Sequence, residues 1–262
     1  MKRIAPLFCG LFLASCAPAT MPAPNVPFES HASRAVPLVN LSNWNDTSLW
    51  QKQNGYGNGG VFNVGWRADH AVVSGKTLDI TLDNHPCPAG CSGAPFASDE
   101  LDSTARYGYG TYTVRMQTAK ASGVVSTFFT YVNLTPSSSS KTQTNDEIDV
   151  EIPGARTTTL EGTYYKEGGA GVEHTMQLPF ESSAGMHTYA IRWLPDSIAW
   201  YADGKLLYTA HGSPSTMPTH PSNLVLNFWT GRTVGIVRWL GPFHYRGALH
   251  ALYDYARFTP AP

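Results

Sequence analysis

Residues Glu147-Ile148-Asp149-Val150-Glu151 alternate three carboxylates with two β-branched apolar side chains. A strand turns successive side chains to opposite faces, so Glu147, Asp149 and Glu151 share one face and Ile148 and Val150 the other. Three acids on one face repel each other and lose hydration, which a sheet built only for stability avoids. The same alternation also describes an ordinary half-solvated strand. Chemistry that works with paired carboxylates wants the crowding, and hydrolysis of a glycosidic bond is its main case.

Such acids need a rigid sheet beneath them, and the rest of the chain reads as one. Short strand-like runs recur between turn signals: Leu78–Leu82, Gly110–Met116, Val124–Tyr131, His187–Trp193, Leu224–Trp229 and Tyr253–Phe258. Ile198–Tyr201 turns at Asp203-Gly204, a strong hairpin signal, into Leu206–Tyr208. The 262 residues are rich in Tyr, Trp, Phe, Gly and Pro and poor in charge, and no segment shows a long helical period. Many short strands at even spacing predict an all-β sandwich or jelly roll of two antiparallel sheets. A formal net charge of −1 without a basic run argues against a nucleic-acid partner. The polar stretch Thr135–Thr144 reads as a loop leading into the acidic strand, and it either shapes access to that strand or is inert surface.

The N-terminus reads as a targeting segment. Lys2 and Arg3 precede a short apolar run, Ile4 to Leu13, and then Leu13-Ala14-Ser15-Cys16. The run is too short to span a bilayer as a mature helix. The tetrapeptide resembles a bacterial lipobox, cut just before a cysteine that is then lipidated; the alternative is a plain secretory signal with an incidental cysteine. Ala17 rather than aspartate after Cys16 points, by sorting rules, to the outer membrane, with the face left open. This divides the chain into a signal peptide (1–15), a Pro/Ala/Ser-rich tether (16–36) and a folded domain (37–262). In an oxidising envelope Cys87 and Cys91 are expected to form a small disulfide loop, with free thiols or half a metal site as alternatives.

From Tyr56 to Phe258 the chain resembles glycoside hydrolase family 16, and within it the bacterial lichenases (endo-β-1,3-1,4-glucanases). The resemblance rests on Gly55–Asn63, Tyr107-Gly108-Tyr109-Gly110, Ser126–Tyr131, Asp146–Glu151, Trp200–Gly204 and Asn227–Gly231, together and in family order. It implies a concanavalin-like β-jelly roll with a concave cleft and endo-hydrolysis with retention of configuration. Glu147 matches the nucleophile, Glu151 the general acid/base and Asp149 the assisting carboxylate. In the retaining mechanism the two carboxyl groups stand about 5–5.5 Å apart, whereas residues four apart on a flat strand have Cα atoms roughly 13 Å apart. The strand must therefore curve. The charges of Asp149 and Glu147 are expected to raise the pKa of Glu151 and keep it protonated for the first step.

Sugar faces pack on aromatic rings. By family position the platforms are Tyr56, Phe62, Phe129, Tyr131, Tyr165, Trp229 and Trp239, with Asn58, Glu100 and Asn227 as polar contacts; Phe128, Trp193 and Trp200 read as core. Asp254 matches a family calcium carboxylate, so a structural calcium is one expectation and an ordinary surface aspartate the other. His174, His187, His220 and His250 show no ligand spacing. No cofactor is expected for catalysis, the partners are a polysaccharide and, through Cys16, a membrane, and a monomer is expected. The chain departs from the family where Asn145 stands for a Trp, Asp102 for an Arg and Thr163 for an Asn. The family's cysteine pair falls on Val64 and Ser98. None of these touches the three acids, but several lie along the sugar-binding face, so the substrate is expected to be mixed-linkage β-glucan or a related bacterial exopolysaccharide. A transglycosylase on the same site and a non-catalytic glycan-binding lipoprotein are the competing functions.

Overall fold

Apolar residues that alternate with polar ones build two large antiparallel sheets packed face to face. The computed structural model describes residues 38–87, 90–134 and 144–262. The expected signal peptide and tether, with Cys16, lie outside the described residues, as do positions 135–143 of the serine-rich stretch. In chain order the strands are β1 (Val39–Asn40), β2 (Trp50–Lys52), β3 (Val64–Trp66), β4 (Ala71–Ser74), β5 (Thr77–Leu82), β6 (Phe96–Ser98), β7 (Glu100–Tyr107), β8 (Gly110–Gln117), β9 (Val124–Leu134) and β10 (Thr144–Pro153). They continue as β11 (Thr159–Tyr165), β12 (Val172–Gln177), β13 (His187–Leu194), β14 (Ser197–Ala202), β15 (Lys205–His211), β16 (Ser222–Thr230) and β17 (Leu249–Pro260), with a short helix α1 (Val234–Leu240) between the last two.

One sheet runs β15-β14-β13-β8-β17-β5-β4, with β1 added on β17. The other runs β12-β11-β10-β9-β16-β7-β2 and carries the acidic strand in its interior. A small parallel pair, β3 with β6, flanks them. Between the sheets lies the core, where Phe128, Trp193 and Trp200 are fully buried. The predicted hairpin forms: Asp203 and Gly204 both take positive φ (45° and 75°), and Ala202 pairs with Lys205 across a two-residue turn.

Two cross-sheet contacts hold the acidic strand and its neighbours in place. Trp200 Nε1, from the opposite sheet, donates to the Asp149 carbonyl (2.8 Å). Gly162 of β11 leaves room for that indole, since a Cβ there would lie 2.6 Å from it. Tyr253 of β17 reaches across the core to the carbonyls of Thr127 and Asn227 (2.9 and 3.1 Å), fixing β9 against β16.

The structure bonds Cys87 to Cys91. This loop packs on β3, where any side chain at Gly65 would collide with the sulfurs. Asp254, which the resemblance matches to a calcium carboxylate, is ion-paired with Arg115. Its carboxylate accepts from Arg115 Nη1 (2.5 Å), and among the described residues no group of three or more His, Cys, Asp and Glu gathers that could hold a metal ion.

Candidate active site

β10 pairs with β9 along its length, matching Glu147 with Tyr131, Asp149 with Phe129 and Glu151 with Thr127. On its other edge β11 sets Tyr165 opposite Glu147 and Glu161 opposite Glu151. The acids' face is thus continued by Phe129 and Tyr131, then by Val225 and Asn227 of β16, then by Asp102 and Glu100 of β7. The inward face of β10 behaves differently: Ile148, Val150 and Ile152 are buried in the core.

Glu147, Asp149 and Glu151 line one cavity of about 310 Å³ with Phe62, Phe129, Tyr165, Trp229 and Trp239. Phe62 packs on Trp229 (4.6 Å between ring centroids) and Trp229 on Trp239 (6.0 Å), which makes an aromatic wall. Trp229 is only 5% exposed. A second cavity of about 620 Å³ shares Phe62, Phe129, Glu147 and Asn227 with the first and extends past Tyr131 to Tyr56, Asn58, Glu100 and Asp102. All ten sequence-predicted contact residues therefore line one of two adjoining cavities. Tyr56 is the most open of the aromatics, at 42% exposure.

Polar partners fix the walls. Thr127 Oγ1 donates to Asn227 Oδ1 (2.5 Å), and Asn227 Nδ2 donates to Glu100 Oε2 (2.8 Å). Trp66 Nε1 donates to Asn58 Oδ1 (3.1 Å). Arg156 joins the Glu161 carboxylate (2.6 Å) to the Trp239 carbonyl (2.7 Å), tying β11 to α1. Sequence reasoning treated Asn145 only as a lost aromatic platform, yet its Nδ2 donates to Glu147 Oε2 (2.5 Å). Nor did it find Asp146, whose fully buried carboxylate accepts from the backbone N–H of Glu167, Thr219 and His220 and from the His220 ring. An acid on the core face of an otherwise apolar alternation was the available signal.

Burial raises the pKa of all three acids. Asp149 is raised well above its ordinary value by burial and then by repulsion from Glu147 and Glu151, and its hydrogen bond to Glu147 raises its own pKa while lowering that of Glu147, so the proton between them sits on Asp149. For Glu147 burial is opposed by hydrogen bonds from Asp149 and Asn145. Glu151 is pushed up to about 8 by burial and then by Glu147, Glu161 and Glu173. The charge expected on Asp149 is not among these causes, because a protonated Asp149 carries none; Glu161 and Glu173 of the neighbouring strands act instead. Burial also pushes the phenols of Tyr56 and Tyr165 up, so both remain neutral donors.

A jelly roll that gathers a protonated carboxyl, a hydrogen-bonded carboxylate and aromatic walls in one cleft has the make-up of a glycosidase. The chain belongs to the family described as "Glycosyl hydrolases family 16", whose sequence model matches residues 58–242. It is similar to a "Beta-glucanase" of Paenibacillus polymyxa, 39% identical over 82% of this chain and 84% of that protein. A "Beta-glucanase" of Bacillus subtilis (strain 168) is 38% identical over 82% of each chain. Among solved structures, a prokaryotic beta-1,3-1,4-glucanase (lichenase) from a mouse hindgut metagenome superposes with a TM-score of 0.75 at 36% identity, covering 87% of this chain and all of that one.

Proposed function

We propose that the protein is a retaining endo-β-glucanase in which Glu147 is the nucleophile, Glu151 the general acid/base and Asp149 the proton-holding group between them. The observation that carries this reading is the set of three acids on one face of an interior strand, lining a single aromatic-walled cavity. Glu151, protonated near neutral pH, delivers its proton to the departing glycosidic oxygen. Glu147, steadied by Asn145 and Asp149, attacks the anomeric carbon. Esterification then removes the Glu147 charge, which is the largest Coulombic cause of the raised Glu151 pKa. Glu151 becomes more acidic and takes the proton of the water that opens the glycosyl–enzyme ester, returning the product with its original configuration.

The similarity to beta-glucanases and to a lichenase supports a β-linked glucan as substrate, with mixed-linkage β-glucan first in order. Asn145 and Asp102 face the same cleft, so bacterial exopolysaccharides belong in the assay. Reducing-end release should be measured on such a panel with Glu147→Gln alongside. Wild type is expected to cut at least one β-linked polymer, and the variant to lose about 10³-fold or more. Failure to cut any polymer would remove the proposal.

We further propose that the chain is a lipid-anchored envelope protein, monomeric and held at the outer membrane through Cys16. The support is the basic start, the short apolar run and Leu13-Ala14-Ser15-Cys16. Cys16→Ser should move the protein from the membrane to the soluble fraction; unchanged fractionation would count against the anchor.

A further inference from the structure

Glu100 and Asp102 stand two residues apart on β7 and so present their carboxyl groups to the same arm of the cleft. Among the described residues no Lys, Arg or His lines either cavity. Among the described residues only amides hydrogen-bond these two acids: Asn227 Nδ2 on Glu100 Oε2 and Gln53 Nε2 on Asp102 Oδ2, each at 2.8 Å. Gln53 is itself held by the Tyr56 hydroxyl, which donates to its Oε1 (3.0 Å). Asp102 Oδ1 is enclosed with no hydrogen-bond partner. Burial raises Glu100 to about 8 and Asp102 to about 6, so near neutral pH the pair keeps one proton and one charge, the charge lying on Asp102.

We propose that this uncompensated pair sets the substrate class: the cleft admits uncharged β-linked chains and rejects chains bearing carboxylate groups, with Asp102 as the specificity-determining residue. The proposal rests on reading the cleft as a β-glucan site. An uncharged sugar brings hydroxyl donors, which acceptor-rich walls with an unmet oxygen can use; a carboxylate brings only acceptors and a like charge. Two like charges roughly 6 Å apart at an effective dielectric of about 20 repel enough for a preference of about 100-fold. Salt screens part of this repulsion, so the preference narrows as ionic strength rises.

The probe is a soluble β-glucan oligosaccharide oxidised at C6 to the carboxylate, set against its carboxamide, which has the same shape without the charge. Affinities are read by calorimetry on the hydrolytically silent Glu147→Gln chain. The carboxamide is expected to bind about 100-fold more tightly, and Asp102→Asn in that background to remove most of that ratio, leaving at most a few-fold difference. Raising the salt from low to high should narrow the ratio without any substitution, so the result does not depend on the variant's folding. Equal affinities, no binding of either probe, or a ratio unmoved by Asp102→Asn would overturn the proposal. Hydrolysis of unmodified β-glucan by wild type is scored separately, so a chain that cuts the neutral polymer yet ignores the charge sinks this inference alone.

Discussion

A carboxyl group that must give up a proton at neutral pH has to resist ionising in the free protein, and Glu151 does so through its surroundings. Because it acts in the protonated form, kcat/KM should fall as pH rises through about 8. Glu161 stands opposite it on β11 and contributes repulsion, so Glu161→Gln should draw that alkaline limb to lower pH, read from the pH profile of kcat/KM. An unmoved limb would exclude the Coulombic role. Asp149 gives the opposite kind of test. Its folded-state pKa lies well above its unfolded value, so the folded chain keeps a proton that the unfolded chain releases, and this cost grows as pH rises above the ordinary carboxylate range. Asp149→Asn should therefore be more stable than wild type at pH 8, with the margin vanishing near pH 4, while kcat drops about 10²-fold. Urea unfolding at the two pH values, beside initial rates, checks both halves. The roles of the three acids were legible from alternation and resemblance. The proton on Asp149 was not, because it depends on burial, and burial is a property of the packed sheets.

β10 is positioned by what lies under it and at its ends, and that support can be tested element by element. Asp146 anchors the segments around Glu167 and Thr219–His220 to the start of β10. Burial alone would raise its pKa, but hydrogen bonds from the Thr219 and Glu167 amides and from His220 more than offset this, leaving it lowered. A depressed folded pKa means stability that is present above the unfolded value and lost as pH falls through the folded one. Asp146→Ala should cost about 3 kcal/mol or more at pH 7 and much less in strong acid, by urea titration. Gly162→Ala would drive a methyl into Trp200, costing about 1–3 kcal/mol and loosening the bond from that indole to the Asp149 carbonyl. On the opposite sheet Arg115 meets the charge of Asp254. Arg115→Ala should cost up to about 1 kcal/mol, since the pair is partly exposed. Strand runs such as Gly110–Met116 were readable from period-two alternation. α1 was not: Val234, Ile236 and Val237 are weak helix formers, and its signals are Thr233, whose side chain accepts from Ile236 N, and Gly241 after the last turn.

Over the whole molecule, two sheets with apolar inner faces were predictable because inward and outward residues alternate along strands such as β5 and β8. Which strands become neighbours was not, since β10 meets β9 and β11 in sequence order while β16 comes from far along the chain to lie between β9 and β7. The loop closed by Cys87 and Cys91 lies behind Gly57 and Gly65, under the Tyr56–Asn58 end of the cleft. Opening it with a double Ser substitution should cost at most about 2 kcal/mol for so short a loop, and should raise KM for long polymers more than it lowers kcat. Both effects are measurable on one preparation. The acids sit on a strand that has a partner on each edge and a tryptophan beneath it. Amide deuteration at 147–151 should then proceed no faster than cooperative melting of the entire domain. Heat inactivation and loss of tertiary signal would fall on one curve, and a protease trimming outer segments would leave turnover intact until the two-sheet body itself gives way.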